Sequence, residues 1–545
     1  MTLPEPFLIA APALPALAAA AIAVAGSDGE RSSRWAVRAA AAAFAAAFVV
    51  AVVVAVGEPV AAVIEGGDGE ALVGLYASRV TALLGLLTTG VGLVVQSFAS
   101  RNLQGDLFGR RFFVLASLLT AATTSVAFAA TLGLLCASWI VAGLALAALV
   151  THRATWQPAR RSSRRTLRSL WVGDGALLAA TFLVVVSIGE IDLRSPADAA
   201  RELADASALG GNLLPVVAVL LTVAGISRSA LVPVHQWLPS TIAAPTPVSA
   251  LLHAGVVNGA GMLLVRLAPV FGSSTAATHV AFVAGAVTTC YATTVMLVRS
   301  DVKGNLAWST AGQMGFMTVQ VAIGALPAAL VHIVGHGMYK AALFLGAGGS
   351  VTAHYRHHQR PAPHGVNRGV RLGVALVVPA AALWAAYLVF HPNLSTAAGV
   401  LVTVFAWGTA ARAVSGWLHS APFRPAPAVA TAALGATVGV FAYIGGLTAI
   451  ETFIEHALPG EVAEPVSAAL LIATLVVIAL VVSVIWFTPG ERMGKVRARV
   501  YAFALTSAPV ASELTTRGSS TGVAPVPETR HLRPDLELAR STRSR

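Results

Sequence analysis

Charged residues are scarce in this chain. They make up 11% of its 545 residues, whereas apolar residues make up 56% and the mean hydropathy is +0.76. A soluble globular domain is about one quarter charged. The shortage of charge therefore excludes an ordinary soluble fold and predicts a protein that lies in a membrane.

Cysteine and lysine are also rare. Cys136 and Cys290, the two cysteines, both fall in apolar runs, so neither a disulfide framework nor a thiolate metal site is predicted. Only three of the 36 basic residues are lysines, namely Lys303, Lys340 and Lys495. In a chain whose basic residues are mostly arginine, a retained lysine suggests that its position needs a side chain that can release a proton. An alanine- and arginine-rich composition would also replace lysine wherever charge alone is needed.

Apolar runs long enough to cross about 30 Å of hydrocarbon recur along the chain. We count fifteen of them: 6–26, 35–57, 71–97, 112–130, 131–150, 171–189, 212–237, 246–270, 278–298, 304–324, 328–349, 372–390, 397–418, 428–449 and 466–488. No Lys or Arg precedes the first run and further runs follow it directly, so we do not expect a cleaved signal peptide. The predicted fold class is all-α, a polytopic membrane protein of about 14 to 15 transmembrane helices.

The distribution of charge predicts the orientation of these spans. With the N-terminus outside, Glu5 and the external connections hold 14 acidic and two basic residues, a net charge of −12, and the remainder holds 10 acidic and 34 basic residues, a net charge of +24. An excess of basic residues marks the cytoplasmic side of a membrane protein. The overall charge of +12 thus reports topology and requires no nucleic-acid partner. We expect a cell-membrane protein with its C-terminus in the cytoplasm.

Ionisable residues inside the apolar runs are the candidate functional residues, because each is costly there and usually faces a cavity or a partner. His332, His336 and Lys340 are spaced by four residues, so they share an arc of about 80° on one helix face. Histidine titrates near neutral pH, and such a stripe can pass protons. The alternatives are a helix contact with satisfied histidines, or a zinc pair that lacks a third ligand nearby.

A second group surrounds a predicted break in a helix. Two prolines and a glycine interrupt the apolar run around Arg228, namely Pro215, Gly225 and Pro233. They predict a broken helix whose freed carbonyls lie near a permanent cation. His253, about two turns into the next span, is either a core residue or part of this site. We expect Trp237 to be an interfacial anchor.

The remaining charged residues have simpler explanations. Asp174 is the one carboxylate clearly within a span, three residues past Trp171, and Arg168, one turn before Trp171, offers it a local ion pair. Lys303 lies at the entrance to the span 304–324, where its side chain can reach the membrane surface. Arginines near the span ends are expected to be structural, namely Arg79, Arg266 and Arg412.

These residues stand in three phrases of the sequence. The phrases are SRSALVPVHQWLPSTIAAPTPVSALLHAGVVNGAGMLLVRLAPVF at 227–271, VRSDVKGNLAWSTAGQMGFM at 298–317 and HIVGHGMYKAALFLGAGGSV at 332–351. Together they resemble the antiporter-like proton-pumping subunits of respiratory complex I and of multisubunit cation/proton antiporters. The resemblance runs in order from about residue 70 to 420, and its APTPVSALLHA segment is highly specific.

The resemblance implies two inverted five-helix repeats, each with a broken helix, and a central line of ionisable residues. By position, His253 matches the histidine after the broken helix, Lys303 the lysine of a D-x-K phrase and Asp174 the aspartate of a V-G-D phrase. The central His-x3-His-x3-Lys relay falls on His332, His336 and Lys340. The resemblance also divides the chain into N-terminal transmembrane helices (1–110), an antiporter-like translocating core (111–420), C-terminal transmembrane helices (421–490) and a basic, partly disordered cytoplasmic tail (491–545).

The sequence departs from that family at important positions. Arg228 replaces the lysine of the first broken helix, and a guanidinium cannot release a proton at accessible pH. Ile140 stands in place of the glutamate that should pair with that lysine, and the later G-F-x-S-K-(D/E) segment has no counterpart at 387–400. The phrase HAGVVNGAGMLLVRLAPVF and the VYAFALT tail resemble instead DabB, the membrane subunit of DAB-type inorganic carbon transporters.

The DabB resemblance implies a partner, DabA, a zinc protein similar to β-carbonic anhydrases. Zinc and catalysis are then expected in the partner, with no cofactor in this chain. Protons or another cation would flow through the chain and drive conversion of CO2 to bicarbonate. The predicted path comprises Asp174, Arg228, His253, Lys303, His332, His336 and Lys340. Two alternatives stay open, namely a subunit of a complex I-type dehydrogenase or multisubunit antiporter, and a non-conducting scaffold.

Overall fold

The chain is a bundle of helices in a computed structural model that describes residues 4–26, 28–65, 71–153, 155–208, 211–299, 301–349, 367–392, 396–420 and 425–454, with short pieces between 498 and 505. The helices of these ranges are α1 Glu5–Ala25, α2 Gly29–Val56, α3 Arg79–Asn102, α4 Gly109–Phe128, α5 Leu132–Val150, α6 Gln157–Ile188, α7 Pro196–Asp205, α8 Leu213–Arg228, α9 Trp237–Ser240, α10 Thr246–Ala254, α11 Gly259–Arg266, α12 Ala268–Gly272, α13 Thr275–Val298, α14 Val302–Ala322, α15 Leu326–Gly346, α16 Arg368–Phe390, α17 Ala397–Ser420 and α18 Pro425–Ile454.

Twelve helical segments of the described ranges are long and apolar enough to cross a membrane, which confirms the polytopic all-α class. The predicted span 304–324 coincides with α14, whose Asn, Gln, Ser and Thr residues leave it outside this group of twelve. The predicted span 212–237 is helical only as far as Arg228, as α8. The predicted span 466–488 and most of the tail lie outside the described residues.

Two pairs of antiparallel strands occur in the described part of the chain, where the sequence predicts no strand. Strands β1 (Val60–Glu65) and β2 (Ala71–Ala77) pair antiparallel, and β3 (Ser207–Ala208) pairs with β4 (Gly211–Asn212). A β-carbon at Gly74 would lie 2.7 Å from Val63, so glycine permits the close approach of β1 and β2. The first hairpin is joined to the connection between α4 and α5 through a backbone bridge between Leu75 and Ala129.

Among the twelve described segments that could cross a membrane, the most deeply buried is Thr246–Arg266, which α10 and α11 form. Helix α10 packs against α3 and α15, and α11 packs against α8, α14 and α15. The predicted relay helix α15 and the broken helix α8 therefore both pack against one central segment.

Two interruptions lie next to each other at this centre. Helix α8 ends at Arg228, and Ala230 follows with a positive φ of 53°, which cannot continue a right-handed helix. Helix α10 ends at Ala254, where Gly255 and one 3₁₀ turn precede α11. The predicted broken helix is confirmed, and a second break that the sequence did not predict lies beside it.

Candidate functional site

Arg228 and Asp174 form an ion pair in the interior of the bundle. Nη2 of Arg228 donates to Oδ1 of Asp174 at 2.9 Å and to the backbone oxygen of Trp139 at 2.9 Å. The guanidinium carbon lies 4.4 Å from the centre of the Trp139 ring, within range of a cation–π interaction. The two side chains are 3% and 14% exposed. Asp174 thus pairs with Arg228. The expectation of a local ion pair between Asp174 and Arg168 is wrong.

Glycines make room for this buried guanidinium. A β-carbon at Gly259 would lie 2.4 Å from Cγ of Arg228, and one at Gly143 would lie 3.2 Å from both terminal nitrogens. A β-carbon at Gly173 would lie 2.5 Å from Cβ of Ser227. Helices α5, α6, α8 and α11 therefore come close enough to enclose the pair because each approach is made at a residue without a side chain.

Side-chain hydrogen bonds satisfy the backbone groups that the two breaks release. The hydroxyl of Ser229 donates to the backbone oxygen of Val257 at 2.5 Å and accepts from the backbone nitrogen of Ala260 at 2.8 Å. Nδ2 of Asn258 donates to the backbone oxygen of Ala254 at 2.8 Å. The two interrupted segments are thereby joined to each other, as buried backbone groups require.

Trp237 belongs to this network and is not an interfacial anchor. Its side chain is fully buried, and Nε1 donates to the backbone oxygen of Ser227 at 3.1 Å. The expectation of an anchor at the membrane surface is wrong, because the carbonyl freed at the end of α8 offers the indole a partner inside the protein.

His253 and His336 meet at the interface between α10 and α15. Nε2 of His336 lies 3.2 Å from the backbone oxygen of His253. The His253 ring stacks on Phe344, with ring centres 4.2 Å apart and planes inclined by 14°. His253 is 2% exposed and His336 is 5% exposed. The two histidines are therefore held in one buried contact between α10 and α15.

His332 continues the line along α15. Its ring centre lies 5.9 Å from that of His336, and its Nδ1 lies 2.9 Å from Oε1 of Gln320 on α14. An amide oxygen only accepts hydrogen bonds, so Nδ1 carries the hydrogen in this arrangement. Gln320 thereby selects the tautomer of His332 and leaves Nε2 free to exchange a proton.

Lys340 is held by a neutral group. Its Nζ donates to Oγ of Ser309 at 2.6 Å, and the side chain is 1% exposed. Within the described ranges no carboxylate forms an ion pair with this ammonium. A buried ammonium without a counter-ion is costly, so it gives up its proton more easily than an ammonium held by a carboxylate.

The predicted residues thus fall into three places. Asp174 and Arg228 form one cluster, and His253, His332, His336 and Lys340 form a second along α15. Lys303 stands apart at the start of α14, where its Nζ donates to the backbone oxygen of Ala244 at 3.1 Å.

Four polar contacts of these clusters were not predicted, namely those of Trp139, Asn258, Ser309 and Gln320. A search of the apolar runs for neutral polar residues, besides ionisable ones, would have included the last three. Arg79 and Arg266 are structural, as expected, because they donate to backbone oxygens of Val54 and Phe453 and of Val126 and Ala129, respectively.

The alternative of a zinc site on α15 finds no support in the part of the chain that the structure describes. Within it, no three residues among His, Cys, Asp and Glu lie close enough to hold a metal ion. His332 and His336 have Gln320 and a backbone oxygen as their recorded partners, and neither is a usual zinc ligand.

Sequence comparisons relate the chain to transporters. A family model described as the transmembrane region of NADH:quinone oxidoreductase/Mrp antiporters matches residues 129–363. The probable inorganic carbon transporter subunit DabB1 of Halothiobacillus neapolitanus is 30% identical over 460 residues, which are 78% of this chain and 82% of that protein. The probable DabB subunit of Bacillus subtilis is 32% identical over 281 residues, 51% of this chain and 54% of that protein.

Solved structures share the fold. The Mrp complex from Dietzia matches 92% of this chain and 59% of its own chain, with a TM-score of 0.60 and 22% identity. An archaeal membrane-bound sulfane sulfur reductase matches 94% of this chain and 99% of its own, with a TM-score of 0.57 and 17% identity. These likenesses establish an antiporter-like arrangement of helices.

Proposed function

Because the chain belongs to the DabB family of inorganic carbon transporter subunits, within the NADH:quinone oxidoreductase/Mrp antiporter superfamily, we propose that it is the membrane subunit of an energy-coupled CO2 or bicarbonate uptake complex. Protons, or another cation in their place, move inward through it. The energy released drives a carbonic-anhydrase-like partner in one direction.

The buried line on α15 is the observation that carries this proposal. Two histidines and a lysine follow one helix face, and His336 reaches the backbone of His253 across the interface with α10. Imidazole accepts and releases protons near neutral pH. The ammonium of Lys340 faces a neutral hydroxyl, so it can lose its proton without leaving a carboxylate unpaired. Such a line supports transfer of protons between its members, and Lys303 at the start of α14 would serve the cytoplasmic entrance.

Arg228 and Asp174 have a different role in this proposal. A guanidinium stays charged, so their pair does not exchange protons with the relay. A fixed pair beside the two helix breaks holds that geometry and places a constant positive charge near the path. The same pair favours the second candidate function, a non-conducting scaffold, because a fixed charge removes one titratable switch.

The partner and the orientation follow from the family and from the charge distribution. The partner is a DabA-like zinc protein on the cytoplasmic side, and it carries out the hydration of CO2, so this chain is a transporter subunit with no cofactor of its own. The chain lies in the cell membrane with its N-terminus outside and its C-terminus in the cytoplasm, in accord with the net charge of −12 on Glu5 and the external connections together.

Flux through the purified protein in liposomes tests the proposal. Lys340→Met removes the charge and the proton, whereas Lys340→Arg keeps a charge that cannot leave. In both variants the proton flux under an imposed pH gradient should fall by at least about tenfold. Arg201→Gln, which removes an exposed cation in α7, is the matched control and should conduct normally.

The same variants separate the conducting subunit from the scaffold. A scaffold predicts that Lys340→Arg and His336→Ala still rescue CO2-dependent growth and still copurify with the zinc partner. Conduction predicts that copurification persists while rescue fails. Copurification with flavin or iron–sulfur proteins would instead favour a dehydrogenase subunit.

A further inference from the structure

A cavity of about 1120 Å³ adjoins the buried line on α15. Helices α14 and α15 form one wall and helices α17 and α18 form the other. The volume is slightly above the usual range for small-molecule sites, about 300–1,000 Å³. Among the described residues that line the cavity, none is Asp, Glu, Lys or Arg. A charged occupant would thus lose its hydration without finding a counter-charge.

The wall formed by α14 and α15 is polar. It presents Gln313, Gln320, His332 and His336 to the cavity. Nδ1 of His336 and Oε1 of Gln313 are buried and have no hydrogen-bond partner within the described part of the chain. His336 is 5% exposed and Gln313 is partly buried, so bulk water meets these two side chains poorly and a donor within the cavity would satisfy them.

Both unpartnered atoms are hydrogen-bond acceptors. Nε2 of His336 is directed at the backbone oxygen of His253, so in the neutral imidazole Nε2 carries the hydrogen and Nδ1 accepts. Oε1 of Gln313 is an amide oxygen and also accepts. The wall formed by α14 and α15 therefore offers two acceptors, and the group that satisfies them has to donate.

The opposite wall is mainly apolar. It is built mostly of alanine, glycine and valine, with Phe405 and Trp417 among them, and its polar members are Thr409, Thr431 and Tyr443. The outer faces of these two helices expose large apolar side chains, such as Val404, Leu434 and Val438 at 51%, 67% and 59%. In a membrane-spanning bundle such faces lie against lipid, so the two helices that carry this wall border the bilayer.

We propose that this cavity binds an uncharged single-chain amphiphile with two free hydroxyl groups in its head, of the monoacylglycerol class. The hydroxyl groups donate to Nδ1 of His336 and Oε1 of Gln313, and the hydrocarbon chain lies along α17 and α18. The bound amphiphile closes the side of the relay that faces the bilayer. Binding does not depend on ion movement, so it can hold or fail separately from the proposed transport function.

Three glycines of α18 provide a matched test. Gly435 and Gly439 line the cavity, and Gly446 lies further along the same helix outside its lining. A β-carbon at any of the three meets nothing within 4 Å. Leucine at Gly435 or Gly439 would therefore fill the cavity from a position that accepts a side chain, whereas leucine at Gly446 would not enter it.

The experiment measures equilibrium binding of tritiated 1-oleoylglycerol to the detergent-purified full chain. We expect one saturable equivalent, a Kd raised at least about tenfold by Gly435→Leu and by Gly439→Leu, and no change for Gly446→Leu. With the unaltered protein, methyl oleate, which cannot donate, and oleate, which is charged, should each bind at least about tenfold more weakly. The proposal is overturned by an absence of saturable binding, by equal loss in Gly446→Leu, or by methyl oleate or oleate binding as tightly as 1-oleoylglycerol.

Discussion

Arg228 and Asp174, 54 residues apart in the chain, are joined by a hydrogen bond of 2.9 Å between Nη2 and Oδ1. The pair links the end of the broken helix α8 to the middle of α6. A lysine and a glutamate are the residues that the wider family resemblance implies near this place. Here a charge of each sign is present, but the cation is one that cannot give up its proton.

Removal of the carboxylate should destabilise the protein strongly. Asp174→Asn leaves the guanidinium of Arg228 buried without a counter-ion, which costs about 3–5 kcal/mol of unfolding free energy. The measurement is thermal unfolding of the purified protein in detergent. Asp198→Asn is the control, because it breaks an exposed pair with Arg201 and should cost at most about 1 kcal/mol. Equal effects of the two variants would show that the buried pair does not hold the helix break.

A methyl group at Gly259 should disturb the same pair. The β-carbon of Gly259→Ala would lie 2.4 Å from Cγ of Arg228, so the arginine or α11 has to move, at about 1–3 kcal/mol. Gly175→Ala is the control on α6, where a β-carbon meets nothing within 4 Å. It should be neutral or stabilising by up to about 1 kcal/mol, since alanine favours helix. A neutral Gly259→Ala would mean that the contact relaxes freely.

The components of the site could be predicted from the sequence, but its contacts could not. Prolines and a glycine around Arg228 predict the break, because proline lacks the backbone N–H that a helix interior uses and glycine lowers helix propensity. The partner of Arg228 comes from α6, and its backbone acceptor from α5, so the pairing depends on how three helices pack. The spacing of residues along one helix carries no information about that packing.

The connections were harder to predict than the spans. A transmembrane helix needs about 20 apolar residues, and such runs are visible in any composition. The β1–β2 hairpin is built from short apolar pieces that continue the neighbouring runs, so the start of the predicted span 71–97 includes a strand that ends at Ala77. The expectation for Trp237 is wrong for a related reason. The backbone oxygen of Ser227 becomes available to its indole only because α8 ends at Arg228.

Ser309 should act on ion movement through Lys340. Ser309→Ala removes the hydroxyl that accepts from Nζ at 2.6 Å, and a hydrogen bond to a charged group is worth about 1.5–3 kcal/mol. We expect proton flux in liposomes to fall about tenfold or more in Ser309→Ala and to be restored in Ser309→Thr, which keeps the hydroxyl.

The rescue separates positioning of the lysine from simple packing. A threonine adds volume beside Lys340, so a role in packing alone would make Ser309→Thr at least as damaging as Ser309→Ala. Unfolding temperatures of the two variants, measured in the same detergent, provide the check on integrity. Equal flux in Ser309→Ala and in the unaltered protein would contradict the assignment of Ser309 as the group that positions Lys340.

The stability of the connection between α5 and α6 should depend on pH through His152. This side chain is 2% exposed, its Nε2 lies 3.3 Å from Oδ1 of Asp106, and its ring packs edge-on against Phe108 and Phe112. Burial lowers the pKa of His152 below its ordinary value of 6.5, and the nearby Asp106 carboxylate opposes that shift only in part. The folded protein therefore holds the imidazole neutral at a pH where the unfolded chain already binds a proton.

Stability from this group is consequently complete above about pH 6.5 and is lost as the pH falls from there through the lowered pKa of the folded state. Amide hydrogen exchange of residues 103–108 and 151–153 should accelerate between pH 7.5 and pH 5.5 once the intrinsic pH dependence of exchange is removed. His152→Gln retains a side chain that can donate to Asp106 but does not titrate, so its protection should no longer depend on pH. His419→Gln, which removes an exposed histidine bonded to Arg371, should behave like the unaltered protein. If the pH dependence persists in His152→Gln, another group governs this connection, and burial of the imidazole is not its cause.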